Sequence, residues 1–379
     1  MKKIALLLSL LTFTLCNAVG ANTTATTVCQ DDSTTLLLRQ QNELLKEQIA
    51  LLRQQNEALL DQTDSLADVT TNLNKEIKKT EEKISRMPKV SGFMQLLYEG
   101  NKDIQNINVK RARVSVSGAL AKNLTYKMQV EFASPKILDF FMAYQPYHQF
   151  GVMAGMFKLP FGIENSEYSP LIVETIDLPL ALAKLMGYDD LCGMKNTGRD
   201  LGVNFQGGFF PHQNTYILNY DLGLYNGNGI TVKDDNKRKD LSGRIMIKPV
   251  KYLKIAGTGY WGTFGPEAYE RSRWGAAVAW DHRLILRAEY IGGKTDNAIS
   301  RGCFAVAGAH LPYGFTLVAR YDFFHQDINV YESRIQDCVV GLAWDKLKHF
   351  RVQFNYNFTN YFGEADNTNN FSVMFTGKF

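Results

Sequence analysis

The chain has 379 residues and a formal net charge of +4, and aromatic residues make up 12% of it. Its mean hydropathy is -0.21. After the first twenty residues, no run reaches the roughly 20 apolar residues that a membrane-spanning helix needs. High aromatic content without such a helix leaves two classes, a large soluble β domain or a membrane β-barrel.

The first residues, MKKIALLLSLLTFTLCNAVGA, start with lysines, continue with an apolar run and end in small residues. This order is typical of a secretory signal peptide, so we assign residues 1–21 to a signal peptide and 22–35 to a linker. A lipoprotein interpretation of Cys16 is disfavoured, because Phe and Leu precede it where small or aliphatic residues are expected.

Export places the chain in an oxidising compartment, where disulfides can persist. The sequence leaves the disulfide state of four cysteines open: Cys29, Cys192, Cys303 and Cys338. It contains no C-x-x-C spacing, no G-x-S-x-G motif, and no dinucleotide or P-loop motif. We therefore expect a protein that is not an enzyme, with no catalytic residue, cofactor, metal or nucleic-acid partner.

Residues 36–86 carry a leucine at every seventh position. With these leucines at d, the a positions hold Asn, Ile and Thr, which is the pattern of a coiled coil with a polar-rich a layer. An isolated helix would expose the leucines, so we expect association, and two and three strands both remain open. An amphipathic helix packed on another domain is the alternative. The d residues are Leu38, Leu45, Leu52, Leu59, Leu66 and Leu73, and the a residues are Asn42, Ile49, Asn56, Thr63, Thr70 and Ile77.

From Lys89 onward the hydrophobic pattern has a period of two, which is typical of strands. In FRVQFNYNF, for example, Phe, Val and Tyr alternate with Arg, Gln and Asn. The pattern predicts sixteen strands, at about 90–98, 107–118, 124–133, 137–145, 149–157, 199–208, 214–224, 240–249, 251–262, 272–281, 283–293, 300–310, 313–324, 333–344, 349–359 and 370–379.

A soluble β-sandwich or propeller would need an apolar inward face. Here the non-aromatic face carries charged and amide side chains on strand after strand, and a soluble core could not satisfy so many buried charges. We therefore predict that residues 89–379 form an all-β, sixteen-stranded antiparallel transmembrane β-barrel in outer-membrane lipid, preceded by the α-helical coiled coil.

The predicted connections alternate between short ones, such as FPHQN and DKLK, and mostly longer polar ones, such as YNGNGITVKDDNKRK. This alternation is typical of outer-membrane barrels. An even strand count places both ends at the short, periplasmic rim, so the coiled coil would extend into the periplasm. The last strand would then pair with the first, with Phe379 in the periplasmic aromatic girdle.

Ordered motifs in the chain resemble the phosphate-selective porin O and P family. The resemblance covers about 89–379 and implies a homotrimer of sixteen-stranded barrels whose third extracellular loop folds inward. Residues 158–198 match that constriction loop, since they form much the longest connection. The motifs are KRARVSVSGAL (110–120), GMFKLPFGIE (155–164), GRDLGVNFQG (198–207) and YDLGLYNGNGI (220–230).

Strand parity places more cations than carboxylates in the lumen. Rings of Arg and Lys favour anions in a pore, and Arg can hold phosphate oxygens bidentately. The predicted pore-lining and anion-binding residues are Arg111, Arg113, Lys127, Lys158, Arg244, Arg287, Arg320 and Arg351, joined by Lys248, Lys254, Arg273 and Lys378; the carboxylates are Glu131, Asp139, Asp200, Asp221, Glu289, Asp322 and Asp337.

The constriction loop is itself acidic, and an acidic loop opposite a basic wall would give a transverse field. We therefore predict a passive channel for small hydrophilic solutes with a weak to moderate preference for anions such as phosphate. The predicted loop residues are Glu164, Glu167, Glu174, Asp177, Asp189 and Asp190, with Lys158, Lys184 and Lys195 as the cations.

Three other functions stay open. Strict phosphate selectivity is one. A sugar or peptide channel lined by aromatics such as Tyr260, Trp261 and Tyr290 is another, although those side chains fit lipid-facing girdles better. In the third, the barrel anchors a coiled-coil tether or spacer that contacts peptidoglycan or another periplasmic partner.

Overall fold

A computed structural model describes residues 32–194, 196–213, 215–363 and 366–379. The predicted signal peptide, most of the linker and Cys29 lie outside the described residues, as does Lys195. The chain divides into two compact units, Met1–Thr80 and Glu81–Phe379.

The first unit is dominated by the helix α1 (Asp32–Arg86), which covers the predicted 36–86 segment. Its leucine seam is exposed along the single chain, with Leu38 59%, Leu52 58% and Leu66 64% accessible. Pro88 follows just beyond its end, because proline cannot continue a helix. None of the described helices is long and apolar enough to span a membrane.

The second unit is a closed antiparallel barrel of sixteen strands, each paired with its neighbours in sequence. This confirms the predicted fold and strand number. The strands are β1 (Lys89–Gly100), β2 (Gln105–Ala121), β3 (Leu124–Glu131), β4 (Lys136–Tyr147), β5 (Phe150–Lys158), β6 (Arg199–His212), β7 (Thr215–Tyr225), β8 (Asp240–Val250), β9 (Leu253–Phe264), β10 (Tyr269–Asp281), β11 (Leu284–Thr295), β12 (Ala298–His310), β13 (Phe315–His325), β14 (Arg334–Trp344), β15 (Phe350–Tyr361) and β16 (Thr368–Lys378).

The barrel closes between the last strand and the first. β1 and β16 pair from Phe93↔Lys378 to Gly100↔Phe371. The pairing continues past β16, where the Phe379 amide donates to the Gly92 carbonyl at 3.0 Å and the Gly92 amide donates back at 3.1 Å. Full closure leaves neither terminal strand with an open edge.

In the barrel, polar side chains are buried and apolar ones are exposed, which is the reverse of a soluble protein. In β15, Gln353 and Asn355 are 0% and 1% exposed, whereas Phe354 and Tyr356 on the other face are 40% and 50% exposed. An apolar outer face and a polar inner face are what a lipid-embedded barrel requires. The inner polar side chains are buried because the constriction loop fills much of the lumen.

The strand connections at the two rims differ less in length than the sequence pattern predicts. Residues 159–198, 226–239 and 326–333 form long connections on one rim, as expected, but the β9–β10 and β11–β12 connections there are only residues 265–268 and 296–297. In the first case the strands extend into the predicted loop and reverse at a glycine. Gly265 has a φ of 73°, and Asp296 in the second turn has a φ of 52°, conformations that tight turns need.

The constriction loop, residues 159–198, contains two short helices, α2 (Glu164–Glu167) and α3 (Leu180–Leu185). The second of these helices lies within the apolar segment 171–188. α3 packs against β11, β12 and β13, where Leu182 and Leu185 join an apolar cluster with wall residues such as Ile291 and Phe324. This cluster fixes the loop inside the barrel.

Candidate functional site

A cavity of about 810 Å³ opens into the lumen at the rim of short connections, and we call it the vestibule. It is bounded by residues of β1–β5, by the chain end and by loop residues 166–171. A smaller pocket of about 40 Å³ shares part of this lining and includes Arg111, Arg113, Lys158 and Arg199. We call this pocket the constriction; it is the narrow continuation of the vestibule along the loop.

Most of the lumenal arginines outside β1–β5 hold the loop. We call the lumenal faces of β8–β15 the anchor wall. Arg287 on β11 is the central contact, since its guanidinium pairs with Glu164 at 3.3 Å and also with Glu174. Arg287 also lies 4.2 Å from the ring centre of Tyr168. Arg287 and Glu164 are almost fully buried, so this is a desolvated, mutually compensated group.

The neighbouring strands repeat this arrangement. Arg320 on β13 donates to the Thr175 hydroxyl at 2.8 Å and pairs with Asp322 at 3.0 Å. Arg244 on β8 pairs with Glu167 at 3.1 Å and with Asp221 at 2.8 Å. These three arginines were predicted to bind anions; their contacts make them loop anchors instead.

Backbone carbonyls of the loop are held in the same way. Arg351 on β15 donates to the Leu171 carbonyl at 3.0 Å, and Gln353 donates to the Glu174 carbonyl at 2.8 Å. Arg273 on β10 donates to the Leu185 carbonyl at 3.2 Å. Because buried carbonyls need donors, these contacts satisfy loop segments that lie far from water.

Most of the loop carboxylates are already paired or hydrogen-bonded through these and similar contacts. Asp177 pairs with Lys110 at 2.5 Å and Asp189 with Lys184 at 2.5 Å, while Asp190 accepts from the Gly187 and Cys192 amides. The transverse field expected from a free acidic loop is therefore weakened. Of the six predicted loop carboxylates, Glu167 is the one that borders the vestibule.

Two of these carboxylates titrate below their usual range. Burial opposes ionisation of Asp177, but Lys110 outweighs it and lowers the pKa of the carboxyl. Burial likewise opposes ionisation of Glu167, and the nearby Arg244 and Lys248 lower its pKa. At Glu164 burial prevails over Arg287 and raises the pKa.

The opposite side of the lumen, formed by β1–β6, keeps an excess of positive charge, and we call it the open wall. Arg113 pairs with Glu131 at 2.8 Å. Lys127 and Arg199 share a single carboxylate, Asp139, each at 2.7 Å. These two cations therefore share one negative charge, which leaves a net positive charge.

Two further open-wall cations have no carboxylate partner among the described residues. Arg111 donates to the Gln95 amide oxygen at 2.8 Å. Lys158 donates to the loop carbonyls of Asn165 and Tyr168 at 2.6 and 3.2 Å. Both line the constriction, so this pocket has two positive charges that no carboxylate pairs with in the described residues.

The predicted lumenal set lacks three cations that the structure places in the lumen. Lys110 lies at a register shift between β1 and β2, where Gln95 pairs with Arg111 but Leu96 pairs with Val109. This bulge lets Lys110 reach the loop, although parity assigns it outward. Arg199 is the first residue of β6 and is almost fully buried, although the parity of that strand assigns it outward. Arg271 shares the inward parity of Arg273 but lies just before the predicted strand 272–281. Arg271 pairs with Asp240 at 2.7 Å.

Three aromatic residues are predicted to be either channel-lining or lipid-facing, and the structure places one inside the barrel and two outside. Tyr260 is buried inside, hydrogen-bonded to Asp240, whereas Trp261 and Tyr290 are exposed outward. The ring of Phe379 lies against Gly92, a residue with the outward parity of Met94, and Phe379 is 71% exposed, which is the position expected for an outer girdle.

Two of the remaining predicted lumenal lysines also find partners. Lys254 lies 4.8 Å from the ring centre of Tyr168, and Lys248 is 3.7 Å from Glu167. The cysteines Cys192, Cys303 and Cys338 are free thiols. Within the described ranges, no cluster of three or more His, Cys, Asp or Glu side chains could hold a metal ion.

Comparison with known sequences gives one family. Residues 91–272 match the family model of phosphate-selective porin O and P. No curated protein matches the chain.

Solved structures with the same architecture are outer-membrane porins. An anion-selective porin from Comamonas acidovorans aligns with a TM-score of 0.61 and 10% identity, over 77% of this chain and 99% of that one. OmpF of Salmonella typhi, in complex with daunomycin, gives 0.61 and 10%, over 78% and 98%. The trimer form of OmpT from Vibrio cholerae gives 0.55 and 11%, over 77% and 99%. At such low identity the likeness carries the fold alone.

Proposed function

Since residues 91–272 match the family model of phosphate-selective porin O and P, we propose that the channel of this chain prefers small anions, including phosphate. The passage runs between the open wall and the anchored loop. Solutes cross it by passive diffusion, and the charge along the open wall biases which ions enter.

The observation that carries this proposal is the charge imbalance at the constriction. Arg111 and Lys158 have no carboxylate partner in the described part of the chain, and Asp139 compensates only one of its two cations. The vestibule adds Lys348 and Lys378, and its lining holds six side-chain cations against two side-chain carboxylates, Asp139 and Glu167. A cleft lined by one sign of charge concentrates counter-ions.

The same contacts support a moderate preference over strict phosphate selectivity. Arg113 already holds a carboxylate, and Arg244, Arg287 and Arg320 hold loop groups. Fewer guanidinium forks are then free to bind phosphate oxygens bidentately than strand parity alone predicts. The porin from Comamonas acidovorans that shares this fold is anion-selective, in agreement with this proposal.

The test is the reversal potential of the purified protein in a planar bilayer under a KCl gradient, repeated with phosphate competing for chloride current. We expect a potential of the sign that anion preference gives, with weak competition by phosphate. A cation-selective or non-conducting protein would overturn the proposal. Phosphate block at low concentration would replace moderate preference by strict selectivity.

We propose a second role for α1, which is to associate with copies of itself as a coiled coil. Its leucine seam is exposed in the single chain. Its first three e positions are basic, with Arg39, Lys46 and Arg53, whereas the g positions of the same heptads hold glutamine. Antiparallel pairing would bring the basic e rows together, so the charge pattern favours parallel strands, in which e faces g.

The proposed assembly is a parallel trimer, matching the trimer implied by the family resemblance. The chain enters β1 from the rim of short connections, which supports a periplasmic location for the preceding residues. The double variant Leu45→Ala, Leu52→Ala should lower the melting temperature of the detergent-solubilised trimer, whereas Gln40→Ala, Gln54→Ala at f positions should not. If barrels lacking residues 30–86 still conduct as unchanged trimers, α1 serves a role outside transport, such as tethering or spacing.

A further inference from the structure

The vestibule has an unusual lining for a passage that admits only small hydrated ions. Apolar side chains line it together with its cations: Phe93, Phe141, Met153 and Phe157 from the barrel wall, and Pro170 and Leu171 from the loop. Elsewhere in the lumen, as along β15, the buried side chains are Gln353, Asn355 and Asn357. The wall along β15 is thus lined by amide side chains, whereas the vestibule is lined partly by aromatic rings.

The apolar side chains that line the vestibule do not all belong to the apolar cluster that fixes the loop. Phe157 belongs to the apolar cluster that fixes the loop, and Phe141 and Met153 pack against it. Phe93, on β1, lies apart from that cluster and borders the same cavity. Apolar groups from both sides of the cavity, β1 and β4–β5, therefore line one space.

The cations are placed around the same space. Lys158 lies on the loop side, and Lys348 and Lys378 lie at the rim near Phe379. In the described ranges neither rim lysine has an ion-pair partner. Arg113, which pairs with Glu131, also sits with its guanidinium carbon 5.7 Å from the ring centre of Phe93, so charge and aromatic surface are adjacent.

We propose that the vestibule binds organic anions with an aromatic body, such as aryl carboxylates, before they pass the constriction. This inference rests on the proposed anion channel and names a substrate class for it. A cavity of about 810 Å³ is large enough for such a ligand, within the range typical of small-molecule sites. The ring covers apolar surface that water would otherwise meet, and the lysines compensate the carboxylate.

The experiment compares three probes in planar bilayers at equal ionic strength. Benzoate has ring and charge, acetate has the charge alone, and benzyl alcohol has the ring alone. We expect benzoate to halve the chloride current at a concentration at least about tenfold lower than acetate, which corresponds to about 1.4 kcal/mol. Benzyl alcohol should have little effect.

Two sets of variants locate the effect. Phe93→Leu with Phe141→Leu keeps apolar volume but removes the rings, so it should reduce the advantage of benzoate over acetate at least threefold. Lys348→Gln should weaken benzoate block, whereas Lys251→Gln, on the same rim but outside the vestibule, should not. If the ring variant fails to assemble, the probe comparison with the unaltered protein still decides.

Equal concentrations of benzoate and acetate, or no block by either, would overturn the inference and leave the anion channel standing. Block by benzyl alcohol as strong as by benzoate would overturn it too, because charge would then be irrelevant. The reversal potential in KCl alone, without any aromatic probe, tests the proposed function separately.

Discussion

The two sides of the lumen use the same residue types for different purposes. On the anchor wall, Arg287 and Arg320 are buried and spend their donors on the loop. On the open wall, Arg111 and Lys158 face the passage without a carboxylate partner in the described chain. Arginine content alone therefore does not measure selectivity; the partner of each arginine decides whether it fixes a loop or attracts a solute.

The difference follows from what stands opposite each wall. The loop crosses the lumen toward β11–β13, where α3 packs. Cations on that side meet carboxylates and carbonyls and lose access to water. Cations on β2–β5 face the remaining space, so their charge stays available to ions.

The largest effect is expected from breaking the anchor wall with Arg287→Ala. Removing one partner of a buried pair costs about 3–5 kcal/mol, because Glu164 and Glu174 are then left without their guanidinium. The loop should detach, and single-channel conductance should rise and become noisy. Arg301→Ala, on the exposed face of the adjacent β12, is the control. Unchanged conductance in Arg287→Ala would mean that the apolar cluster alone holds the loop.

A smaller effect, in selectivity alone, is expected from sharpening the open wall with Glu131→Gln. The amide keeps the shape of the carboxylate that Arg113 contacts at 2.8 Å, while Arg113 becomes uncompensated. The added charge should raise the chloride-to-potassium permeability ratio by about threefold. This factor corresponds to roughly 0.7 kcal/mol, the attraction in water between the guanidinium and a chloride ion about 6 Å away. The exposed Glu267→Gln is the control. A ratio that stays constant in Glu131→Gln would show that this pair lies off the ion path.

The smallest effect is expected from acid. The lowered pKa values of Asp177 and Glu167 mean that their anchoring is complete above the ordinary carboxyl range, about pH 4, and is lost as pH falls through the lower folded values. The raised pKa of Glu164 acts in the opposite direction and limits the change. Current noise should thus rise reversibly only below about pH 4, and Asp177→Asn should show part of that noise at neutral pH. Noise that grows between pH 7 and 5 would contradict this assignment.

The barrel was predictable because its pattern is local. Alternation of aromatic and polar residues, as in β15, determines which face meets lipid whatever the neighbouring strands do. Strand ends were less predictable, since pairing in β9–β12 continues into segments that read as loops and stops only at turn residues such as Gly265.

The site was only partly predictable, because parity gives a face and not a partner. It places Arg244 and Arg111 in the lumen equally well, and only the path of the loop separates an anchor from a free cation. Lys110 was missed because a bulge changes the register beside it. Neither feature leaves a periodic signal in the sequence.

The most direct test of this division compares Arg111→Gln with Arg351→Gln, by reversal potential and single-channel conductance measured together. Each variant removes one positive charge from the lumen; Arg111 contacts Gln95, and Arg351 holds the Leu171 carbonyl of the loop. We predict that Arg111→Gln lowers anion preference with conductance noise unchanged, and that Arg351→Gln increases noise with little change in preference. Equal loss of anion preference in both variants would contradict the account, because the two walls would then act as one ring of charge.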